Sequence, residues 1–227
     1  MRNEPHCRPY PVVLNLTGRT VIIVGAGQVG QRKLHGALAA GARVTIIDPQ
    51  KLKLAPDVHI EQIQRPYRSG DLAGAHLVFI CTNREGSNAA AAREARQLGI
   101  WACRCDRSEQ SDFFLPAVLQ RGPLTVAVST SATSPAMSGL LRDQLSGTVD
   151  DSWGTAVSLI AAIRRKWLTE PAGVQYNQEV LRNLLNQELI PLISGGQLED
   201  IDQLLLNQFG KGYSLSDLQV DISHEAS

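Results

Sequence analysis

The chain has 227 residues with 22 basic and 22 acidic side chains, so its formal charge is zero. A hydrophobic fraction of 43% and a charged fraction of 19% exclude a disordered or fibrous protein, and the zero net charge argues against nucleic-acid binding, which usually needs a basic excess. The charge is uneven, however. Residues 1–150 hold 17 basic and 12 acidic side chains (17 − 12 = +5), whereas residues 151–227 hold 5 and 10 (5 − 10 = −5).

Length and targeting signals set further bounds. A chain of this length predicts one domain with an appendage, or two small domains. Its first residues contain no apolar leader, and no stretch approaches the roughly 18 apolar residues of a membrane helix. Four cysteines are too few for a disulfide scaffold. We therefore expect a cytoplasmic protein with reduced thiols that binds neither membrane nor nucleic acid.

The first half of the chain alternates strand and helix patterns. Its strands are continuous apolar runs, which are typical of strands buried on both faces of a parallel sheet. The pattern therefore predicts an α/β protein with a Rossmann-type doubly wound parallel sheet. In chain order, the predicted elements are strand 20–24, helix 28–40, strands 43–47, 59–63 and 75–81, helix 87–98 and strand 100–105.

After Asp106 the pattern changes. A strand over 124–129 leads through a hydroxyl-rich loop to a helix that begins at Pro135, since proline is favoured at the first helical position after a serine cap. From residue 152 onwards we expect only helices, over about 152–168, 174–190 and 197–208, separated by Pro171, Pro191 and Gly195-Gly196. The predicted division is a Rossmann domain over 1–112, a small α+β segment over 113–150 and a helical tail over 151–227.

A glycine motif, Gly25-x-Gly27-x-x-Gly30, follows the first strand and opens the first helix. In this context it predicts a dinucleotide site, formed by the three glycines with Gln28 and Val29 at the helix N-terminus, where free N–H groups bind a pyrophosphate. Asp48 ends the second strand, where a carboxylate accepts hydrogen bonds from a ribose diol and favours NAD over NADP.

The alternative is that the glycines serve turn geometry and that Asp48 only caps a loop. Lys51 and Lys53 lie near Asp48 and leave NADP open as the cofactor.

Two strand ends carry polar or reactive residues, Cys81-Thr82-Asn83 and Cys103-Arg104-Cys105-Asp106. Because ligands of open α/β sheets bind at the carboxyl ends of strands, Thr82 and Asn83 are candidate cofactor contacts. Asp106 is the candidate catalytic group, able to accept a proton from a substrate N–H or C–H as a hydride leaves. Its alternative role is to cap the next turn.

Metal binding is the less favoured role for the cysteines. Cys81, Cys103 and Cys105 supply soft ligands, but they lack the Cys-x-x-Cys spacing of structural zinc sites, and buried cysteines commonly serve as small apolar residues. We assign no metal site. None of the five histidines falls near the strand ends, so neither a Ser-His-Asp nor a zinc-hydrolase mechanism has support.

The hydroxyl-rich loop is a candidate substrate site, because hydroxyls at a helix N-terminus bind carboxylates or phosphates. Arg121 and Arg142 flank it in sequence and can add charge-assisted bonds. Ordinary helix capping is the alternative. The candidate residues are Ser129, Thr130, Ser131, Thr133, Ser134 and Arg142.

These motifs together resemble the precorrin-2 dehydrogenase / sirohydrochlorin ferrochelatase family, the dehydrogenase–chelatase module of siroheme synthase. The similarity covers about residues 10–146 and is much more specific than the glycine turn alone. It is carried by Tyr10 to Leu16, Val24 to Lys33, Asp106 with Phe113 to Ala117, Arg121 to Thr130, Thr133 to Pro135 and Leu140 to Arg142.

The resemblance implies NAD-dependent oxidation of precorrin-2 to sirohydrochlorin, with insertion of Fe²⁺ as a possible second activity. It implies that Asp106 is catalytic, and that Thr130 stands where some members carry a functional serine. It also implies a homodimer built through residues 113–150, a helical tail over the substrate, and a polycarboxylate tetrapyrrole on the hydroxyl loop. With no methyltransferase half in the chain, we expect another protein to supply precorrin-2.

Two stretches depart from the family pattern. Cys103-Arg104-Cys105 replaces Asn-Val-Val, and Ser131-Ala132-Thr133 replaces a Gly-Gly or Gly-Lys sequence. Both lie in the expected substrate crevice and bear on the chelatase step and its metal. Two other functions stay open from the residues alone: a non-catalytic NAD(H)-sensing module, and a chelatase with vestigial NAD binding.

Overall fold

The computed structural model describes residues 9–56, 58–169, 182, 184–185 and 189–222. The chain forms two compact units, Met1–Leu115 and Pro116–Ser227. Most of the helix predicted over 174–190 lies outside the described residues. Within the described part of the chain, no helix is both long and apolar enough to cross a membrane.

The first unit is a five-stranded parallel sheet with strand order β3-β2-β1-β4-β5. This confirms the predicted α/β class and the pairing of the fourth strand with the fifth. Three predicted strands prove shorter than expected, and the second helix begins two residues early. The elements are β1 Thr20–Val24, α1 Gln28–Ala39, β2 Arg43–Ile47, β3 Glu61–Ile63, β4 Leu77–Ile80, α2 Glu85–Leu98 and β5 Trp101–Arg104, followed by a 3-10 turn at Ser108–Gln110.

Strand β1 forms the centre of the sheet and is apolar on both faces. Val21 and Ile23 pack into the core on the side of α1, whereas Ile22 and Val24 pack into the core on the side of α2. This two-sided burial explains the unbroken apolar run in the sequence. The parallel pairing of β4 with both β1 and β5 places the carboxyl ends of these three strands next to one another.

The second unit begins with an antiparallel hairpin and continues as helices. Strand β6 was not predicted, although Gly122 and Pro123 form a two-residue turn in which Gly122 has a φ of +49°, a conformation that favours glycine. The predicted start of a helix at Pro135 is confirmed, with Ser134 as its N-cap residue. The elements are β6 Ala117–Arg121, β7 Leu124–Val128, α3 Pro135–Ser146, α4 Asp151–Thr169, α5 Leu189–Ser194 and α6 Leu198–Phe209.

The three helices α4, α5 and α6 enclose one apolar core in the second unit, with Leu159, Ile193 and Ile201 fully buried. Pro191 lies inside α5, so the prediction that it separates two helices was wrong.

Candidate functional site

The glycine turn between β1 and α1 is as tight as its sequence requires. Gly25 has a φ of +102°, and a Cβ there would lie 2.8 Å from the carbonyl carbon of Cys81. A Cβ on Gly30 would lie 2.0 Å from the Gly25 oxygen, whereas one on Gly27 would meet no atom within 4 Å. The first and third glycines therefore serve packing, and the second faces open space where a ligand can approach the backbone.

Helix α1 starts immediately behind this open position. Gly27 is its N-cap residue and provides no side-chain hydrogen bond to the first turn. Gln28 is exposed and Val29 half-buried at the beginning of the helix. The first N–H groups of α1 are thus not capped by a side chain, and they carry the partial positive charge that binds a phosphate.

A cleft of about 550 Å³ opens beside the turn, within the usual size of small-molecule sites. Its walls come from the glycine turn and from the segments after β2 and β4. Gln28, Val29 and Gly30 belong to the helix behind it and do not line it. Five of the predicted cofactor residues do line it: Gly25, Gly27, Asp48, Thr82 and Asn83.

Asp48 joins the two walls of this cleft. Its carboxylate accepts the Ala26 N–H and the Gln50 N–H, both at 2.7 Å. The capping role is therefore present in the fold. Each oxygen keeps a second lone pair that can accept a ribose hydroxyl from the cleft. Lys51 also lines the cleft, so a cation stands near the place where a 2′-phosphate would lie.

Asp106 follows β5 and is held by two neighbours. The Arg104 guanidinium donates from Nε to Oδ1 at 3.0 Å and from a terminal nitrogen to Oδ2 at 2.6 Å. The Asn88 amide donates to Oδ2 at 3.0 Å. Arg104 also binds Glu85 at 2.9 Å and Gln110 at 2.6 Å, and its side chain is only 1% exposed.

These contacts fix the charge of Asp106. The bidentate Arg104 guanidinium holds the pKa of the Asp106 carboxyl well below its usual range, and the Asn88 hydrogen bond acts in the same direction, while burial opposes both. Asp106 is therefore an ionised carboxylate at neutral pH, and a weak base.

Asn88 is the residue of this site that sequence reasoning missed. It lies in the first turns of α2, is 1% exposed, and donates to the Thr82 backbone oxygen at 2.9 Å as well as to Asp106. The Thr82 hydroxyl in turn donates to the Asn88 side-chain oxygen at 2.5 Å. One amide thus links the wall of the cleft to the candidate catalytic carboxylate. Its signal in the sequence was a polar residue at a core-facing position of an alanine-rich helix.

The three cysteines at the ends of β4 and β5 do come together. The sulfurs of Cys81 and Cys105 lie 2.8 Å apart, and Cys103 is buried beneath them on the same side of the sheet. Among the residues that the structure describes, however, no group of three or more His, Cys, Asp or Glu side chains is arranged to hold a metal ion.

The hydroxyl loop in the second unit is a network of internal bonds. The Thr130 hydroxyl donates to the Ser134 oxygen at 2.9 Å and lies 3.0 Å from the Ser138 hydroxyl, and it accepts the Ser134 N–H at 3.1 Å. Ser129 accepts the Ser131 N–H at 3.2 Å. Thr130 therefore shapes the loop, which leaves less of its hydroxyl for a ligand.

Two adjacent loop residues adopt left-handed backbone conformations. Ser131 has a φ of 53° and Ala132 a φ of 62°, which costs about 1–2 kcal/mol for a residue with a Cβ. Ser131 and Thr133 direct exposed side chains from this strained segment. The resemblance implies glycine within this stretch, and glycine adopts positive φ values without this cost.

The two arginines predicted to assist the loop are engaged elsewhere. Arg142 pairs with the neighbouring Asp143, its Nε lying 2.7 Å from Oδ1. Arg121 donates to the Val149 oxygen at 3.0 Å and to the Ser146 oxygen at 3.4 Å. The expectation that Arg121 flanks the loop was wrong, because these oxygens lie at the C-terminal end of α3 and the loop precedes its N-terminal end.

Gly30→Ala should lower the free energy of unfolding by about 2–3 kcal/mol, since its methyl group would overlap the Gly25 carbonyl. Gly27→Ala is the matched control and should cost about 1 kcal/mol or less, because its methyl group meets open space. Urea unfolding of both variants measures the difference. Equal losses would contradict the packing described for the turn.

Arg104→Met should raise the pKa of Asp106 toward the ordinary value of about 4. In the unaltered protein, the Asp106 carboxyl has a lower pKa in the folded than in the unfolded chain, which stabilises the fold. This stabilisation is complete at pH values above the ordinary pKa and is lost as the pH falls through the lowered pKa. Carbon-13 NMR of the Asp106 carboxyl during acid titration measures the change. Arg107→Met is the control, because among the described residues the Arg107 guanidinium forms an ion pair with Glu85, at 3.6 Å, and none with Asp106. An unchanged Asp106 titration in Arg104→Met would refute the assignment.

Comparison with known proteins identifies relatives for both units. Residues 12–117 match the family described as "Putative NAD(P)-binding". The chain is 29% identical over 182 residues to siroheme synthase 1 of Aeromonas salmonicida, covering 78% of this chain and 39% of that protein. It is 32% identical over 203 residues to siroheme synthase of Methylococcus capsulatus, covering 86% of this chain and 42% of that protein.

A solved structure supports the same fold. The protein named "SirC, precorrin-2 dehydrogenase" matches with a TM-score of 0.68 at 20% identity, covering 86% of this chain and 98% of that one. The chain spans less than half the length of the siroheme synthases that it matches. These findings support the family resemblance that the motifs carry: the chain is similar to one part of the siroheme synthases and has the fold of the protein named as a precorrin-2 dehydrogenase.

Proposed function

We propose that this chain oxidises precorrin-2 to sirohydrochlorin with NAD as the hydride acceptor, in the cytoplasm. One observation carries the proposal. The buried Asn88 amide connects the cleft beside the glycine turn with the anionic Asp106. It donates one hydrogen bond to the Thr82 oxygen in the cleft wall and one to the Asp106 carboxylate. A cofactor site and a fixed charge at neighbouring strand ends are the parts that a dehydrogenase needs.

The residues of the cleft fit a dinucleotide. The open position at Gly27 and the first N–H groups of α1 would receive the pyrophosphate, and Asp48 would accept the adenine ribose. When bound, the nicotinamide ring supplies a two-electron hydride acceptor. Thr82 and Asn83, on the β4 side of the cleft, would contact the half of the dinucleotide nearer to Asp106.

Asp106 would act mainly through its charge. Loss of a hydride leaves positive charge on the tetrapyrrole, and a carboxylate held in place by Arg104 stabilises that charge without reorganising. The substrate proton is then lost to Asp106 or to water. A depressed pKa keeps the carboxylate ionised at any neutral pH, at the expense of basicity.

The hydroxyl loop is proposed as a carboxylate site. Its exposed donors are Ser129, Ser131 and Thr133, with Thr130 and Ser134 holding the loop in shape. Arg142 would contribute only by exchanging its Asp143 partner for a substrate carboxylate. Such exchange between carboxylates is cheap at an exposed site.

Incubation of the purified protein with precorrin-2 and NAD, followed by NADH absorbance and the tetrapyrrole spectrum, tests the proposal directly. Parallel reactions with NADP test the role of Asp48, and addition of Fe²⁺ after the oxidation tests the chelatase step separately. Absence of NADH while the substrate is shown to bind would end the dehydrogenase proposal. Metal insertion without NADH would favour the chelatase-only alternative.

Asp106→Asn should lower the rate of NADH formation by about 100-fold, because it removes the charge and keeps the shape of the side chain. NAD affinity should change little, since Asp106 does not line the cleft. Glu109→Gln, which removes an exposed carboxylate from the adjoining 3-10 turn, is the control and should retain full activity. A wild-type rate in Asp106→Asn, with NAD still bound, would exclude Asp106 as the catalytic group.

We also propose that the chain is a homodimer built through α3. This helix buries only Ser138, although its other face is apolar. An uncovered apolar face of this extent indicates a partner surface, and self-association about a two-fold axis is the simplest way to cover it. The exposed side chains are Met137 (48%), Leu140 (53%), Leu141 (40%) and Leu145 (36%).

Leu140→Glu should convert the dimer to a monomer. In a two-fold interface through α3, the new carboxylate of each protomer would be buried close to that of the other. Leu98→Glu introduces the same charge at a leucine of equal exposure, 52% against 53%, in the first unit. That control should remain dimeric. Light scattering during gel filtration gives both masses, and a dimer in both variants would exclude α3 as the interface.

A further inference from the structure

Cys81 and Cys105 are a matched pair at the ends of adjacent parallel strands. The register pairs Ile80 with Arg104, and the Cys105 N–H donates to the Ile80 oxygen at 3.0 Å, so the two cysteines occupy the next paired position. Paired residues of neighbouring strands point to the same face of a sheet. Their sulfurs lie 2.8 Å apart, and Cys105 is exposed.

The spacing of paired parallel strands is compatible with a disulfide at this position. Adjacent strands run about 4.8 Å apart, and disulfides join Cα atoms that are about 4.4–6.8 Å apart. The two sulfurs, 2.8 Å apart, would have to approach one another by less than 1 Å to reach the bond length of about 2.05 Å. Cys103, two residues before Cys105 on the same strand, is buried and pairs in register with Phe79.

We propose that Cys81 and Cys105 form a reversible dithiol–disulfide site, and that a dinucleotide in the cleft slows its oxidation. The first part rests on the thiol geometry alone. The second rests on the proposed function, because Cys81 lines the cleft beside Gly25 and Thr82. A molecule lying along that wall would lie next to Cys81 and limit the approach of an oxidant to it.

The oxidant is a small-molecule disulfide, RSSR. The Cys81 thiolate attacks one sulfur of RSSR, forms a mixed disulfide and releases one RSH. Cys105 then attacks the Cys81 sulfur, loses its proton to solvent and releases the second RSH. Two protein thiols are oxidised to one disulfide, and RSSR is reduced to two RSH.

Geometry and proton affinity together favour Cys105 as the second nucleophile, because its sulfur already lies 2.8 Å from that of Cys81. The hydrogen bond with Cys103 lowers the pKa of Cys105, but the bond with Cys81 and burial together raise it to about 12. Cys105 is therefore a protonated thiol at neutral pH and suits the second, intramolecular step. A thiol with so high a pKa is a poor first nucleophile.

The test uses the full chain and oxidised glutathione. Intact mass should fall by two hydrogen atoms, and peptide mapping should show one link between residues 81 and 105, reversed by a reducing thiol. Cys103→Ser should form the same link, whereas Cys81→Ser and Cys105→Ser should not. A Cys103–Cys105 link, stable glutathione adducts alone, or no reaction would overturn the thiol pair.

The second part is tested by repeating the oxidation with NAD at ten times its separately measured dissociation constant. If only the empty cleft reacts, the rate should fall about elevenfold, following 1 + [L]/Kd. Unchanged oxidation with NAD bound would overturn the coupling and leave the dehydrogenase proposal intact. Failure of NAD to bind the reduced protein would instead refute the proposed function, while the mapped disulfide would stand.

Discussion

The parallel pairing of β1 with β4 and of β4 with β5 is the constraint on which the candidate site depends. Parallel strands end at the same edge of a sheet, so the glycine turn after β1 and the polar residues after β4 and β5 become neighbours although they are far apart in sequence. Gly25 tightens this arrangement, because its missing Cβ leaves room for the Cys81 backbone. A side chain at Gly25 would push β1 and β4 apart at the point where the cofactor cleft opens.

The same edge also concentrates charge. Arg104 is a buried cation that binds three acceptors, two of them carboxylates. A buried charge of this kind is tolerated only when it is paired, and here Asp106 is the nearest partner. The stability of the fold at this edge and the ionisation of the candidate catalytic group therefore depend on the same contacts.

Sequence reasoning predicted the sheet well because its signals are local. The β-branched run of β1, the glycine spacing and the serine–proline start of α3 each report on a few consecutive residues. It missed β6, since Ala117–Arg121 shows little alternation and its partner is known only once the Gly122 turn is recognised. It also placed Arg121 beside the hydroxyl loop, because nearness in sequence says nothing about which end of α3 the side chain reaches.

The side-chain network of the site was beyond sequence reasoning for a related reason. Asp106 was found by its place at a strand end, but its charge state depends on Arg104 and Asn88, which come from different elements and are brought together only by the fold. A strand-end aspartate alone is compatible with a base, a cap or a fixed anion. The bidentate guanidinium decides among these in favour of the fixed anion.

The pairing of Arg104 with Asp106 also bears on which of the two proposed activities, oxidation or metal insertion, this carboxylate suits. In the proposed oxidation, positive charge would develop on the tetrapyrrole next to Asp106. The Asp106 carboxylate would stabilise this charge. The Arg104 guanidinium would oppose it only weakly, because it is already paired with carboxylates. Metal insertion needs a group that takes up pyrrole protons and tolerates an approaching dication. Asp106 is a weak base, because the hydrogen bonds from Arg104 and Asn88 stabilise its ionised form. Under the proposed function, the pairing of Asp106 with Arg104 therefore suits the stabilisation of charge during hydride transfer better than the uptake of pyrrole protons.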